Sequence, residues 1–535
     1  MIFGASPTRL LSRFSIYIIL LLMALPLRAQ NFTNLYSFAN GNDGSSPLTG
    51  LIRWGNTLYG TAALGGSLGN GTIFSIKIDG TEFKTLYTFT GTNDGWIPRA
   101  ALIRSGNTLY GTTGGTADPG RLGTIFSIKT DGTDFKTLHV FSGASDEGGP
   151  YGALVLSGNT LYGASSGVGT MSGNGTIFSI KTDGSNFNTL HAFNGGSDGY
   201  DPFGPLILSE NTLYGTAFNG GSLGVGSIFS IKTDGTGFTT LYSFQGGNDG
   251  AAPEGGLIKS GNTLYGTASG GGSFTNGTIF SIKTDGTWFT TLYSFTGGND
   301  GLSPVAGLIL SNNILYGTAS GGGSFTNGTI FSIGTDGSGF TTRYSLTNGY
   351  AVGENVQPIL MLSGGTVYGT VTYGGTNGYG SVFSLPVFDT ITVNALPTDG
   401  GSVRGGGHVA PGATLTVSAK AKSGYEFVDW TLGTNLVSTT QNFTFIENGS
   451  GTLVANFAQP LTLRVIASPA IGGTLKGGGT FPAGSSPTIQ ATAKGHYSFV
   501  NWTEGTNVVT SAAIYGFTLN KNTTLKANFT KILAP

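Results

Sequence analysis

Apolar residues along this chain come in short bursts set in Gly-rich polar stretches, and the bursts repeat the same phrases. Leu-Tyr-Gly, replaced by Val-Tyr-Gly in the last copy, recurs at Tyr59, Tyr110, Tyr162, Tyr214, Tyr265, Tyr316 and Tyr368, a spacing of 51 or 52 residues throughout. Ile-Phe-Ser-Ile begins at Ile73, Ile125, Ile177, Ile228, Ile279 and Ile330, and becomes Val382-Phe383-Ser384-Leu385 at the end. Leu-Tyr-Ser-Phe or a variant ends at Phe38, Phe89, Phe141, Phe193, Phe244, Phe295 and Leu346. Each phrase occurs seven times, and self-similarity at a fixed period marks a repeat architecture.

One repeat reads as four strands. In the fifth they are Gly256-Leu257-Ile258, Thr263 to Thr267, Thr278 to Lys283 and Phe289 to Phe295. Ser260-Gly261-Asn262 joins the first to the second, and Asp285-Gly286, a strong hairpin signal, joins the third to the fourth. Ile279-Phe280-Ser281-Ile282 does not alternate, so both faces of that strand are expected to be buried. Stacked blades in a closed ring bury both faces of every inner strand. The chain opens with a fourth-strand phrase, Asn34 to Phe38, and its seventh repeat stops at Val382 to Val387 without one. An open solenoid would need altered capping repeats, and none is present. The pattern therefore predicts an all-β chain: a seven-bladed β-propeller of four-stranded blades, closed by the N-terminal strand, then two small β-rich modules.

Those modules emerge from a change of period after Pro386. Gly405-Gly406-Gly407 matches Gly477-Gly478-Gly479, and Tyr425, Phe427 and Trp430 match Tyr497, Phe499 and Trp502, an offset of 72. Pro460 sits at the joint. The expected domains are residues 30–388, 389–459 and 460–535, behind a leader of residues 1–29. Arg9 and Arg13 give that leader a positive start, Phe14 to Leu27 an apolar core, and Ala29 a small residue before the expected cleavage. Its apolar run is shorter than the ~20 residues of a membrane span, and no second such run follows. A secreted or cell-surface location is the expectation.

Composition narrows the classes. Gly is 94 of 535 residues against an ordinary ~7%, but 38% apolar content and low net charge do not fit disorder. The net charge is −1, falling to −4 if Arg9, Arg13 and Arg28 leave with the leader, so no basic face for nucleic acid is expected. There is no cysteine, which excludes disulfides and thiolate metal sites.

Candidate chemistry falls on the longer connections, fourth-to-first and second-to-third, which lie on one face of the ring while the tight turns lie on the other. Binding surfaces favour such loops on a rigid scaffold. That face should carry Asp43, Asp94, Asp146, Asp198, Asp249 and Asp300, with only Glu354 near the equivalent place in the seventh repeat. These oxygens suit a polar ligand or Ca2+. Asn-Asp-Gly is also ordinary turn chemistry, which accounts for the same residues. They stand as candidate ligand-binding residues, and no metal, cofactor or catalytic residue is assigned. Lys77, Lys129, Lys181, Lys232 and Lys283 point toward the other face and read as solvated strand ends. His139 and His191 stand where other repeats have Tyr87, Tyr242 and Tyr293, and read as replacements at a packing site. Trp430 and Trp502 offer sugar-stacking faces, yet their strand spacing favours core packing. No Gly-x-Ser-x-Gly stands between a strand and a helix, so a nucleophile elbow has no support.

The repeats, through Leu264-Tyr265-Gly266-Thr267 and Gly277-Thr278-Ile279-Phe280-Ser281-Ile282, resemble the GloVer (Gloeo/Verruco) tandem repeats of bacterial "choice-of-anchor" proteins across residues 32–388. The two modules are similar to divergent internalin B-type repeats. These resemblances imply a surface or secreted protein with stalk, adhesion or spacer roles, and supply no catalytic residues. Asp-Gly-Thr-x-Phe also resembles the Asp-box turns of sialidase-type propellers, but no arginine recurs in register to grip an acidic substrate. The reading is an exported, non-enzymatic, monomeric propeller that binds a glycan or a cell-surface protein. The alternatives are a polysaccharide lyase or hydrolase, the latter needing two carboxylates about 5–10 Å apart, and a purely structural surface component.

Overall fold

The computed structural model describes residues 32–115, 121–143, 146–167, 173–347, 360–409, 413–446 and 451–532; of Asp389, Thr390 and His408 only the backbone is described. The leader and Glu354 lie outside these residues. Every regular element among them is a strand. The chain divides into two compact units, one holding the seven blades and the other most of the two C-terminal repeats.

Each blade is a four-stranded antiparallel sheet in simple up-and-down order. In the fifth the strands are Ile258–Ser260, Thr263–Ala268, Thr278–Lys283 and Thr290–Ser294. The second and third strands are buried on both faces, as the unbroken apolar phrase requires. The glycine of Leu-Tyr-Gly belongs to this core: a Cβ on Gly266 would stand 2.6 Å from the Phe280 ring.

Two local expectations shift. The first strand starts at Ile258, and Ser260 pairs with Thr263 across a two-residue Gly261–Asn262 turn in which Gly261 takes a positive φ of 54°. Gly256 is excluded because it packs against Pro205 of the preceding blade rather than pairing in its own. The Asp-Gly phrase is not a two-residue hairpin but a longer loop, since Ser281 pairs with Thr290. Asp285 closes it by accepting bonds from the Thr287 amide (2.9 Å) and hydroxyl (2.7 Å). The following residue takes left-handed backbone, which leaves Trp288 exposed and returns Phe289 to the sheet.

Closure comes from the N-terminal strand. Thr33–Ser37 pairs with Ser381–Pro386 as the fourth strand of the seventh blade. Phe32 stacks on Tyr344 at 4.7 Å and on Phe383 at 4.9 Å. Phe289 does the same on Tyr242 at 3.9 Å and on Phe280 at 5.5 Å. The apolar core is divided into one cluster per blade junction. Tyr265, Ile279 and Phe295 of the fifth blade meet Leu308, Leu315 and Phe331 of the sixth, and Tyr368 and Val382 of the seventh meet Leu51, Leu58 and Phe74 of the first. Seven junctions, including the one that joins last to first, make a closed ring.

The segments that lead into the first strands touch backbone to backbone from blade to blade, around the axis. A Cβ on Gly152 would meet the Gly204 carbonyl at 2.7 Å, and one on Gly255 the Ala306 carbonyl at 2.6 Å. Threonine hydroxyls tie the same segments together, Thr216 to the Gly255 carbonyl, Thr267 to that of Ala306 and Thr370 to that of Thr49.

The two C-terminal repeats share one plan, a five-stranded and a three-stranded sheet each. In the second, Leu461–Ser468 runs parallel to Thr523–Lys531. Trp430 and Trp502 are fully buried, each at the centre of its module's core, so neither is a sugar-stacking surface.

Candidate functional site

The six aspartates stand one per blade where the fourth strand turns into the long loop, and each is engaged within its own blade. Asp300 accepts bonds from the Tyr293 hydroxyl (3.0 Å), the Thr296 amide (2.7 Å) and the Thr296 hydroxyl (2.5 Å). Asp94 is held in the same way by Tyr87, by the amide and hydroxyl of Thr90, and by the Thr92 amide. Asp43 accepts from Tyr36 and from the amides of Ala39 and Gly41, and Asp249 from Tyr242 and the Gln245 amide. In the two blades where histidine replaces tyrosine the bond persists: His139 Nε2 lies 3.0 Å from Asp146, and His191 Nε2 3.2 Å from Asp198. The third strand of the next blade holds the same residue by its backbone, as Thr278 donates to the Asp249 carbonyl at 3.1 Å and Thr329 to that of Asp300 at 2.9 Å.

The electrostatics follow this geometry. Burial raises the carboxyls of Asp94, Asp146 and Asp300, but the bonds they receive outweigh it and hold all three below the usual carboxylate value. Burial first, and then the charge and hydrogen bond of the carboxylate, push the Tyr36, Tyr242 and Tyr293 hydroxyls up to about 12. Each tyrosine or histidine also stacks on the Asp-Gly-loop phenylalanine of the next blade, Tyr293 on Phe340 at 3.8 Å and His191 on Phe238 at 3.7 Å. The packing expected of the histidines is present, and the bond to aspartate is the part not foreseen. Its signal was the constant interval of seven residues from ring to carboxylate. The structure does not bring the six aspartates together, and among the described residues no three His, Asp or Glu side chains form a group able to hold a metal. Lys77, Lys129, Lys181 and Lys283 donate to the second strand of their own blade, Lys283 to the Thr263 hydroxyl at 2.8 Å.

A second register on the same long loops behaves differently. Each described loop returns to the axis through a proline, which abuts a glycine of the preceding blade in such pairs as Pro304 on Gly277, Pro253 on Gly226, and Pro47 on Gly380 across the closure. The residue after the proline is fixed in place yet differs in every described blade: Leu48, Arg99, Tyr151, Phe203, Glu254 and Val305. It stands three positions before the buried leucine that leads into the first strand, at the axial rim of the long-loop face.

Three of these side chains form a row. The Arg99 guanidinium lies 5.4 Å from the Tyr151 ring centroid, and Tyr151 lies 5.8 Å from Phe203 at a tilt of 40°. The Tyr151 hydroxyl donates to the Gly115 carbonyl at 2.8 Å, and burial pushes its pKa up. All three are partly exposed, and the buried Arg99 Nε has no hydrogen-bond partner. Burial lifts the Glu254 carboxyl to about 7. The register could have been found by aligning the copies on the loop proline that six of them share, where the residue that follows is unlike in each.

Residues 22–209 and 169–383 match the Gloeobacter/Verrucomicrobia repeat. The chain belongs to that repeat family. Beyond the family's repeats, residues 391–460 and 463–533 each match the divergent InlB B-repeat domain. No curated protein matches. Among solved structures, this Gloeobacter/Verrucomicrobia repeat protein is similar to oligogalacturonate lyase in complex with manganese (11% identity, 66% of this chain and 92% of that one, TM-score 0.43). It is also similar to PorZ, a surface component of the type-IX secretion system of Porphyromonas gingivalis (13% identity, 88% and 59%, TM-score 0.42), and to a chain of a nidogen/laminin complex (17% identity, 50% and 86%, TM-score 0.34). At these TM-scores the likenesses bear neither on function nor on ligand.

Proposed function

We propose that this protein is an exported, non-enzymatic recognition propeller that binds a glycan or protein at the axial rim of its long-loop face, its C-terminal repeats serving as spacer or adhesive units. One observation carries the reading: a scaffold that repeats its core and its loop bonds blade after blade sets an unlike residue after the loop proline, beside the axis, in every blade where that residue is described. A purely structural ring has no use for Arg, Tyr, Phe and Glu at equivalent places, whereas a ligand that lies across the rim meets each blade differently. The aspartates on this face brace their loops through bonds from tyrosine, histidine, hydroxyl and amide donors, while one oxygen of Asp198 is buried without a partner. This favours binding over hydrolysis, which needs carboxylates free to act on substrate.

The test is a binding screen of the full mature chain on glycan and protein arrays, beside the double variant Tyr151→Leu, Phe203→Val. These residues are close to those the first and sixth blades carry at the same place, so the scaffold should persist. Ligand capture is expected to fall at least tenfold with unchanged thermal stability. Undiminished capture, or steady release of cleaved product from a polysaccharide, would overturn the reading.

A further inference from the structure

We propose that the row Arg99–Tyr151–Phe203 receives a carboxylate-bearing sugar, a uronate unit of an acidic polysaccharide; this rests on the reading of the axial rim as the binding surface. Arg99 is the starting point. Its guanidinium makes no ion pair or hydrogen bond among the described residues. Arginine does not shed its charge in proteins, and a partly buried guanidinium without an anion lacks the planar, two-pronged partner it is shaped for. The Tyr151 ring beneath it supplies a cation–π contact that orients the group but leaves its hydrogen-bonding edge unused.

The neighbours define what accompanies the anion. Tyr151 and Phe203 extend the row away from the charge as apolar, partly exposed surface. A pyranuronate fits that order, because its carboxylate is fixed to a ring whose C–H face can lie flat on an aromatic side chain. An acidic peptide carries its carboxylates on flexible stems with no flat apolar face beside them, and it would lose more conformational freedom on binding.

The experiment uses the full mature chain and three probes by calorimetry: a mannuronate tetramer, its carboxyl-reduced neutral counterpart, and tetraglutamate. The uronate tetramer is expected to bind at least tenfold more tightly than the other two. Arg99→Gln should erase the difference between charged and neutral sugars, and Phe203→Val should weaken both. Equal binding of the two sugars, or a preference that survives Arg99→Gln, overturns the uronate assignment while leaving the rim as a binding surface. Binding of tetraglutamate in place of the sugars also overturns it. If no probe binds while the Tyr151→Leu, Phe203→Val variant still loses its array signal, only the ligand class has failed.

Discussion

At the residue scale the aspartates show how a repeated polar group can be tied into the loop that presents it. Their period was plain in the sequence because the same loop was copied six times. Their partners were also in the sequence, seven positions earlier, but the bond needs the strand to bend back over its own loop. Asp300→Ala should release a tyrosine hydroxyl, a threonine hydroxyl and an amide at once. A loss of about 1–3 kcal/mol of stability is expected for half-buried donors left unmade, read as a lower melting temperature. Adding or chelating calcium should leave the wild-type melting temperature unmoved; calcium-dependent stabilisation that Asp300→Ala abolishes would return the aspartates to the role of ion ligands.

At the element scale the decisive piece is the N-terminal strand. The phrase order alone required it to finish the seventh blade, and the pairing of Thr33–Ser37 with Ser381–Pro386 does so. Less was legible in the turns. Asp-Gly announces a turn but not the length of its loop, which is set by where Phe289 must land on the neighbouring blade. The first strand was placed two residues early for a related reason: Gly256 and Leu257 serve the junction, not the sheet. Removing residues 30–38 should leave an open edge strand and uncover Tyr368 and Val382. The truncated chain is expected to self-associate in size-exclusion chromatography, as uncovered strand edges do. A peptide of residues 30–39 added in trans should restore the monomer elution volume. A truncated chain that stays monomeric and as protease-resistant as the full one would show that the ring does not depend on this strand.

At the scale of the whole molecule, titrating groups spread around the ring make stability a function of pH. Asp94, Asp146 and Asp300 have folded values below the ordinary 3.8, so their contribution is present above that value and is lost as pH falls through their folded values. Burial depresses His191 below its ordinary 6.5, its bond to Asp198 opposing but not cancelling the effect. A histidine with a depressed folded value takes up a proton more readily when unfolded, so its share of stability is complete above about 6.5 and declines below it. Glu254, with a folded value raised to about 7, works the other way and gains stability as it takes up a proton, so between pH 7 and 5 the two oppose each other, and the melting temperature should drop steeply only below pH 4. His191→Tyr, which installs the residue of the neighbouring blades, should remove the histidine's share, so that the melting temperature of the variant rises relative to wild type between pH 7 and 5, and should keep the steep drop. A difference between variant and wild type that stays constant over that range would mean that His191 contributes nothing to the pH dependence.

What the amino-acid order determined by itself was the plan: four strands per unit, seven units, and a first strand that belongs to the last. These follow from period and from where apolar residues must hide, and both are written locally. What only the tertiary structure decided was company. Arg99, Tyr151 and Phe203 sit about fifty residues apart in the chain and become neighbours because wedge-shaped blades converge on an axis, bringing one register of every repeat to a common rim.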